Sequence, residues 1–192
     1  MDALTLPGYG TSSALSVRAC GLSAHATHLA AAIEQGDFST PIHLTGHSFG
    51  GGIALRIAAD HPDLVGQVTV VCPVGGARDG TAPWFGLAMA FLADGGTAGL
   101  SDFMRSFTPA WSRHALSLTL SGLDARRVDL IADLEKAVGH GIDVHLIVAD
   151  DDRVVPAGPL ALPGTGARVS VVSGPHNWPH LQPAHWASLT VS

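Results

Sequence analysis

The chain has 192 residues, of which 46% are hydrophobic and 14% charged, and its formal net charge is −6. That length suits one domain, here residues 1–192, and an apolar fraction of this size supplies a core and excludes a disordered, highly charged chain. Lys136 is the only lysine, no apolar run approaches the ~20 residues of a membrane span, and no basic, apolar leader opens the sequence; nucleic-acid and membrane partners are therefore not expected, and a cytoplasmic protein is.

In chain order, Leu6-Pro7-Gly8-Tyr9-Gly10-Thr11-Ser12 reads as a loop. Ser23 is positioned to cap a helix running to about Gln35, with Leu29, Ala30 and Ile33 as its buried stripe and Gly36 as its stop. Ile42-His43-Leu44-Thr45 follows as a short buried strand. Gly51 to Asp60 reads as a helix, ended by His61-Pro62. Between strand and helix lies Gly46-His47-Ser48-Phe49-Gly50. A serine on so sharp a strand-to-helix turn is thrust out of the sheet, and its glycine neighbours give the backbone room to turn. The Gly50-Gly51-Gly52 run lacks the Lys-Ser/Thr ending of a phosphate loop and reads as close helix packing instead.

The next strand, Gln67 to Cys72, is apolar through Val68–Val71. Cys72 and the distant Cys20 are isolated thiols with no disulfide expected between them, and Cys72 is predicted to be a buried, reduced core residue. Residues 73–122 change character to Gly, Pro and aromatic residues, among them Trp84, Phe85, Phe91, Phe103, Phe107 and Trp111, with short helices expected over 84–93 and 109–118. Asp124 is expected to cap a helix reaching Ala137. A strand over Ile142–Ala149 runs into Asp150-Asp151-Asp152-Arg153-Val154-Val155-Pro156, and a last strand, Arg168–Val172, runs into Ser173-Gly174-Pro175-His176. Strands alternating with helices imply a mostly parallel sheet covered on both faces. Carboxylates and a histidine placed just past strand ends fall where ligand and catalytic groups collect in such sheets.

The order serine, acid, histidine, here Ser48, Asp152 and His176, together with these loops, resembles the α/β-hydrolase superfamily. The resemblance extends from Leu4 to the C-terminus except for the middle segment. It likens Leu6–Ser12 to the loop after the family's fourth strand, Gly46–Gly52 to the nucleophile elbow, Asp152–Pro156 to the acid loop and Gly174–Pro179 to the histidine loop. It implies an α/β fold with residues 73–122 as a small helical cap. It also implies Ser48 as nucleophile, His176 as base, Asp152 as acid rather than Asp150 or Asp151, and the Phe49 N–H as one oxyanion donor. The second donor of the family comes from a loop after its third strand, which by this likeness lies upstream of Met1, so an N-terminally truncated fold is expected. The absence of that third strand would open a gap at the centre of the sheet, so either Ala3–Leu6 shifts into the vacant place or the chain is an incomplete gene product, and incompleteness is the expectation.

An aromatic cap suits an apolar small-molecule substrate, although the same rings equally serve to pack the cap on the sheet. The candidate substrate-contacting residues are His47, Trp84, Phe85 and Trp178. His180 is a second candidate base. The His176, His180, His185 set lacks matched ligands at metal spacing, so no metal and no cofactor is expected. The implied activity is hydrolysis of a small ester or thioester through an acyl-enzyme. A non-catalytic remnant of the fold and an acyltransferase remain as alternatives, and oligomeric state stays open.

Overall fold

The computed structural model describes residues 2–9, 12–16, 18–75, 116–117, 119–125, 128–155 and 164–190. Trp84 and Phe85 lie outside the described residues, as do the expected helix over 84–93 and most of that over 109–118.

Four strands form one sheet: β1 (Ile42–His47), β2 (Val65–Val71), β3 (Asp143–Ala149) and β4 (Arg168–Val172). They lie side by side in chain order, every pair parallel. The register places Thr45 beside Thr69 and Thr69 beside His145, so the carboxyl ends of β1, β2 and β3 finish at nearly the same level. That alignment brings loops remote in sequence to one edge.

The nearly continuous apolar strands β2 and β3 bury both faces, as central parallel strands do, whereas β1 and β4 keep several residues exposed. Val68, Val70, Val144, Leu146 and Val148 point to one side and form the main core with α1 (Leu22–Gln35), α2 (Phe49–Asp60) and α3 (Leu130–Gly139). Val71, Ile147, Ala149 and Val172 point to the other. There they pack with Trp178, Trp186 and Leu189 from α4 (Trp178–Leu181) and α5 (Pro183–Thr190). Helices thus cover both faces, the α/β architecture that the alternating pattern implies.

Two caps differ from the sequence reading. Helix α1 begins at Leu22 after Gly21, and Ser23 lies inside it with an exposed side chain. Its first amide is capped from a distance: Leu22 N–H donates to Asp124 Oδ2 at 2.8 Å. Asp124 sits at the end of a helical segment, residues 119–125, and caps no helix of its own. The cap of α3 is Asp129, whose carboxylate accepts from Ala132 N–H at 3.2 Å. A carboxylate satisfies any orphan amide that it reaches, and tertiary folding brought a remote one to α1. Gly36 ends α1 as expected, with its N–H bonded to the Ala32 and Ile33 carbonyls.

Ala3–Leu6 forms no strand. Among the described residues β1 pairs with β2 alone, so the strand bearing the serine turn is at the sheet's end and no gap opens within the sheet. Leu6 instead packs at the margin of the main core, and the Pro7 carbonyl lies 3.4 Å from His25 Nε2 in α1. No described helix is long and apolar enough to cross a membrane.

Candidate active site

Ser48 occupies the turn between β1 and α2 with φ 53° and ψ −119°. Left-handed backbone is costly for a residue with a Cβ, and it persists here because the surroundings fix it. The Ser48 N–H extends the sheet ladder to the Val71 carbonyl at 2.9 Å, and the Ser48 carbonyl accepts from Gly52 and Val74 amides at 3.1 and 3.2 Å. A Cβ at Gly46 would lie 2.5 Å from the Gly50 carbonyl carbon and 2.8 Å from the Gly51 nitrogen, so this position has no room for any side chain. At Gly50, by contrast, a Cβ meets nothing described within 4 Å. The close approaches expected of Gly50 belong to Gly51, facing Pro73, and Gly52, facing Leu22 and Val74.

His176 and Asp152 arrive from the ends of β4 and β3. The two loops are stapled together: Asp150 N–H donates to the Val172 carbonyl at 3.0 Å, Asp151 N–H to the Gly174 carbonyl at 3.2 Å, and Gly174 N–H to Asp150 Oδ1 at 2.9 Å. His176 is fully buried, and its Nδ1 lies 2.8 Å from Asp152 Oδ2. Its Nε2 lies 2.9 Å from Ser48 Oγ. Because Nδ1 faces a carboxylate it carries the proton, which leaves Nε2 to accept the serine hydroxyl's. Asp152 Oδ1 accepts in turn from the Val154 and Val155 amides at 2.9 and 2.7 Å, which lock the carboxylate against the ring.

The structure brings Ser48, His176 and Asp152 into one hydrogen-bonded line and gives the neighbouring aspartates other work. Asp150 pins the histidine loop, and Asp151 is exposed and paired with Arg153. The Phe49 amide opens helix α2, where the first N–H groups have no intrahelical acceptor and the helix end is positive. It is therefore available to an anion formed at Ser48. The Phe49 ring packs edge-on against His25, 5.3 Å between centroids, which ties the elbow to the Pro7 loop.

The structure describes two of the substrate-contact candidates. Trp178 is 0% exposed and packs in the core with Val71, Cys72 and Ile147. His47 serves the base: its Nε2–H donates to the His176 carbonyl at 2.9 Å, and the rings sit 4.9 Å apart. Burial, followed by the neighbouring His176, pushes the His47 pKa down to about 3, so the ring is neutral and donates only this bond. His180 is exposed, 6.1 Å from His47 between ring centroids, and His185 is exposed against Trp178. Neither joins His176 around a common point.

One neighbour was not anticipated in this role. Cys72, the first residue past β2, places Sγ within 4.8 Å of one Asp152 carboxylate oxygen and one His176 ring nitrogen, the one such donor group among the described residues. A metal there would have to displace the Asp152–His176 hydrogen bond and ionise a thiol that burial, reinforced by the adjacent carboxylate, holds well above its usual pKa. These donors suit one another better than a cation. Strand register carried a signal for this contact, because parallel β1, β2 and β3 end together and place the residues just past their ends side by side.

A serine–histidine–aspartate line at the carboxyl edge of a parallel sheet with helices on both faces defines a protein of α/β-hydrolase type. The sequence profile described as the Alpha/beta hydrolase family matches residues 3–187, and the chain belongs to that family. Solved structures share the fold at low identity. The serine hydrolase CarC involved in carbazole degradation aligns over 97% of this chain and 75% of its own, with a TM-score of 0.71 and 15% identity. An N-formylmaleamic acid deformylase from Pseudomonas putida S16 aligns over 96% and 78%, at 0.68 and 21%. An esterase from Exiguobacterium antarcticum aligns over 97% and 78%, at 0.63 and 22%. No curated protein sequence matches the chain.

Proposed function

We propose that the protein is a serine hydrolase that cleaves a small ester or thioester through an acyl-enzyme on Ser48. The observation that carries this reading is the line from Ser48 Oγ to His176 Nε2 at 2.9 Å and from His176 Nδ1 to Asp152 Oδ2 at 2.8 Å. The same fold occurs in a serine hydrolase, an esterase and a thioesterase domain, which supports hydrolysis as the class of reaction.

In the first half-reaction Nε2 takes the hydroxyl proton as Oγ bonds to the carbonyl carbon, and the carbonyl oxygen becomes an anion beside the Phe49 N–H. Collapse of that intermediate breaks the bond to the leaving group, which departs with the proton from Nε2. Water repeats the sequence on the acyl-enzyme, releasing the acid and restoring Ser48. Asp152 holds the Nδ1–H tautomer and offsets the positive charge of the imidazolium, the division of roles that makes a serine hydroxyl nucleophilic. The buried Asp152, excluded from water, acts on that charge with little screening.

Incubation with p-nitrophenyl acetate and butyrate tests the reading. A burst of p-nitrophenol equal to the enzyme present, with an intact-mass increase of one acyl group on the Ser48 peptide, is the expected result. Hydrolysis without a burst, undiminished in Ser48→Ala, would overturn it.

A further inference from the structure

We propose that Cys72 is a positioning residue of the triad, its thiol donating a hydrogen bond to the Asp152 carboxylate and so setting how that carboxylate acts on His176. The inference rests on the serine-hydrolase reading above and adds a residue to its machinery.

The geometry is specific. Cys72 is 1% exposed, its Sγ lies within 4.8 Å of one Asp152 carboxylate oxygen and of one His176 ring nitrogen, and its own N–H is fixed to the Ile147 carbonyl of β3 at 2.8 Å. Its backbone has φ 43°, a conformation that glycine or asparagine adopts more readily, so a side chain is held here against a conformational cost. Asp152 has capacity for this donor. Oδ1 is filled by two amides and Oδ2 by the His176 ring N–H, while an ionised carboxylate offers about four acceptor sites. Burial, followed by the adjacent Asp152 carboxylate, holds the thiol well above its usual pKa, so that a protonated S–H stands beside the carboxylate. On the other side stands the fully buried Trp178, whose indole nitrogen has no conventional partner and whose N–H eases the thiol's pKa back down.

The chemical consequence has a sign. A donor on the carboxylate disperses part of its charge and fixes its orientation. Without that donor the carboxylate is freer to turn, and the imidazolium that it faces is held more tightly. The catalytic rate should then fall while the pH below which the base is protonated moves up. A serine hydroxyl at the same position is the stronger donor and should do the opposite to the pH limb. Cysteine, serine and alanine share a Cβ, so the backbone cost at φ 43° is constant across the series.

The test is the second-order rate of labelling by a fluorophosphonate probe as a function of pH for wild type, Cys72→Ser, Cys72→Ala and the control Cys20→Ala, with melting temperatures measured in parallel. The expected result is an acid limb shifted upward in Cys72→Ala with labelling about tenfold slower, a limb at or below the wild-type position in Cys72→Ser with most of the rate retained, and no shift in Cys20→Ala. If both Cys72 variants keep the wild-type limb, losing only melting temperature, the thiol is packing and the inference is wrong. Ser48→Ala separates the two levels. Persistent labelling in that variant refutes the serine-hydrolase reading itself, whereas its abolition together with an unmoved Cys72→Ala limb refutes the positioning role alone.

Discussion

Gly46→Ala is the most demanding perturbation of the elbow, because one methyl group meets only backbone. Its Cβ would stand 2.5 Å from the Gly50 carbonyl carbon and 2.8 Å from the Gly51 nitrogen, against an ordinary contact of at least 3.4 Å. The first turn of α2 must therefore retreat by about 0.9 Å from the end of β1. It is not free to do so, since Gly52 and Val74 amides both hold the Ser48 carbonyl, and a Gly51 Cβ position already lies 3.1 Å from Pro73. Overpacking of a rigid site costs about 1–3 kcal/mol, and the backbone contacts here place this substitution at the upper end. For a chain of this length that is roughly 5–10 °C in melting temperature. A nucleophile displaced by about 1 Å loses on the order of 10²-fold in rate. Gly50→Ala is the matched control: nothing described lies within 4 Å of its Cβ, and alanine is the better helix former, so its melting temperature should hold or rise slightly. Thermal denaturation and p-nitrophenyl acetate turnover of the two variants decide the matter. Equal behaviour of Gly46→Ala and Gly50→Ala would show that the elbow is not sterically closed at Gly46.

Other outcomes follow from caps and titration. Asp124→Ala should destabilise the protein by about 0.5–2 kcal/mol by leaving Leu22 N–H without its acceptor, while Ser23→Ala stays within ~0.5 kcal/mol; urea melts giving the reverse order would restore the local cap. His47 in the folded state refuses a proton until pH falls to about 3, whereas the unfolded imidazole accepts one near pH 6.5. A depressed folded value means that stability is lost as pH falls through the unfolded value, by about 1.4 kcal/mol per pH unit from this group between about pH 6 and 4. His47→Gln keeps an N–H donor without titrating. Its deficit relative to wild type in urea melts should therefore narrow as the pH is lowered, and parallel pH curves would contradict the buried, neutral assignment.

The sheet, its parallel sense and the three loops at its carboxyl edge were legible in the sequence, because each rests on local pattern. The apolar runs Val68–Val71 and Val144–Ala149, the Gly46–Gly50 turn and the chain order of Ser48, Asp152 and His176 all lie on the surface of the text. What escaped depended on long-range geometry. Asp124 has the chemistry of a cap, but only folding decides that it serves Leu22 rather than a helix of its own. His47 is adjacent to the nucleophile in sequence, yet its ring is turned to the His176 carbonyl, 129 residues away. Trp178 looks like a pocket wall in the loop after His176, and is the largest fully buried side chain among the described residues. Cys72 read correctly as a buried thiol; its proximity to Asp152 follows from the register of β2 and β3, which no local pattern states.

Active-site labelling shows whether Ser48, His176 and Asp152 act as one unit. Purified wild type, Ser48→Ala, His176→Ala and Asp152→Ala are treated with a fluorophosphonate probe at pH 7.5, and the modified peptide is located by mass spectrometry. The account predicts one adduct per chain on Ser48, none in Ser48→Ala, and labelling slowed by at least ~10²-fold in the His176 and Asp152 variants. Folded wild-type protein that takes no label, or that labels equally well without His176, would contradict it.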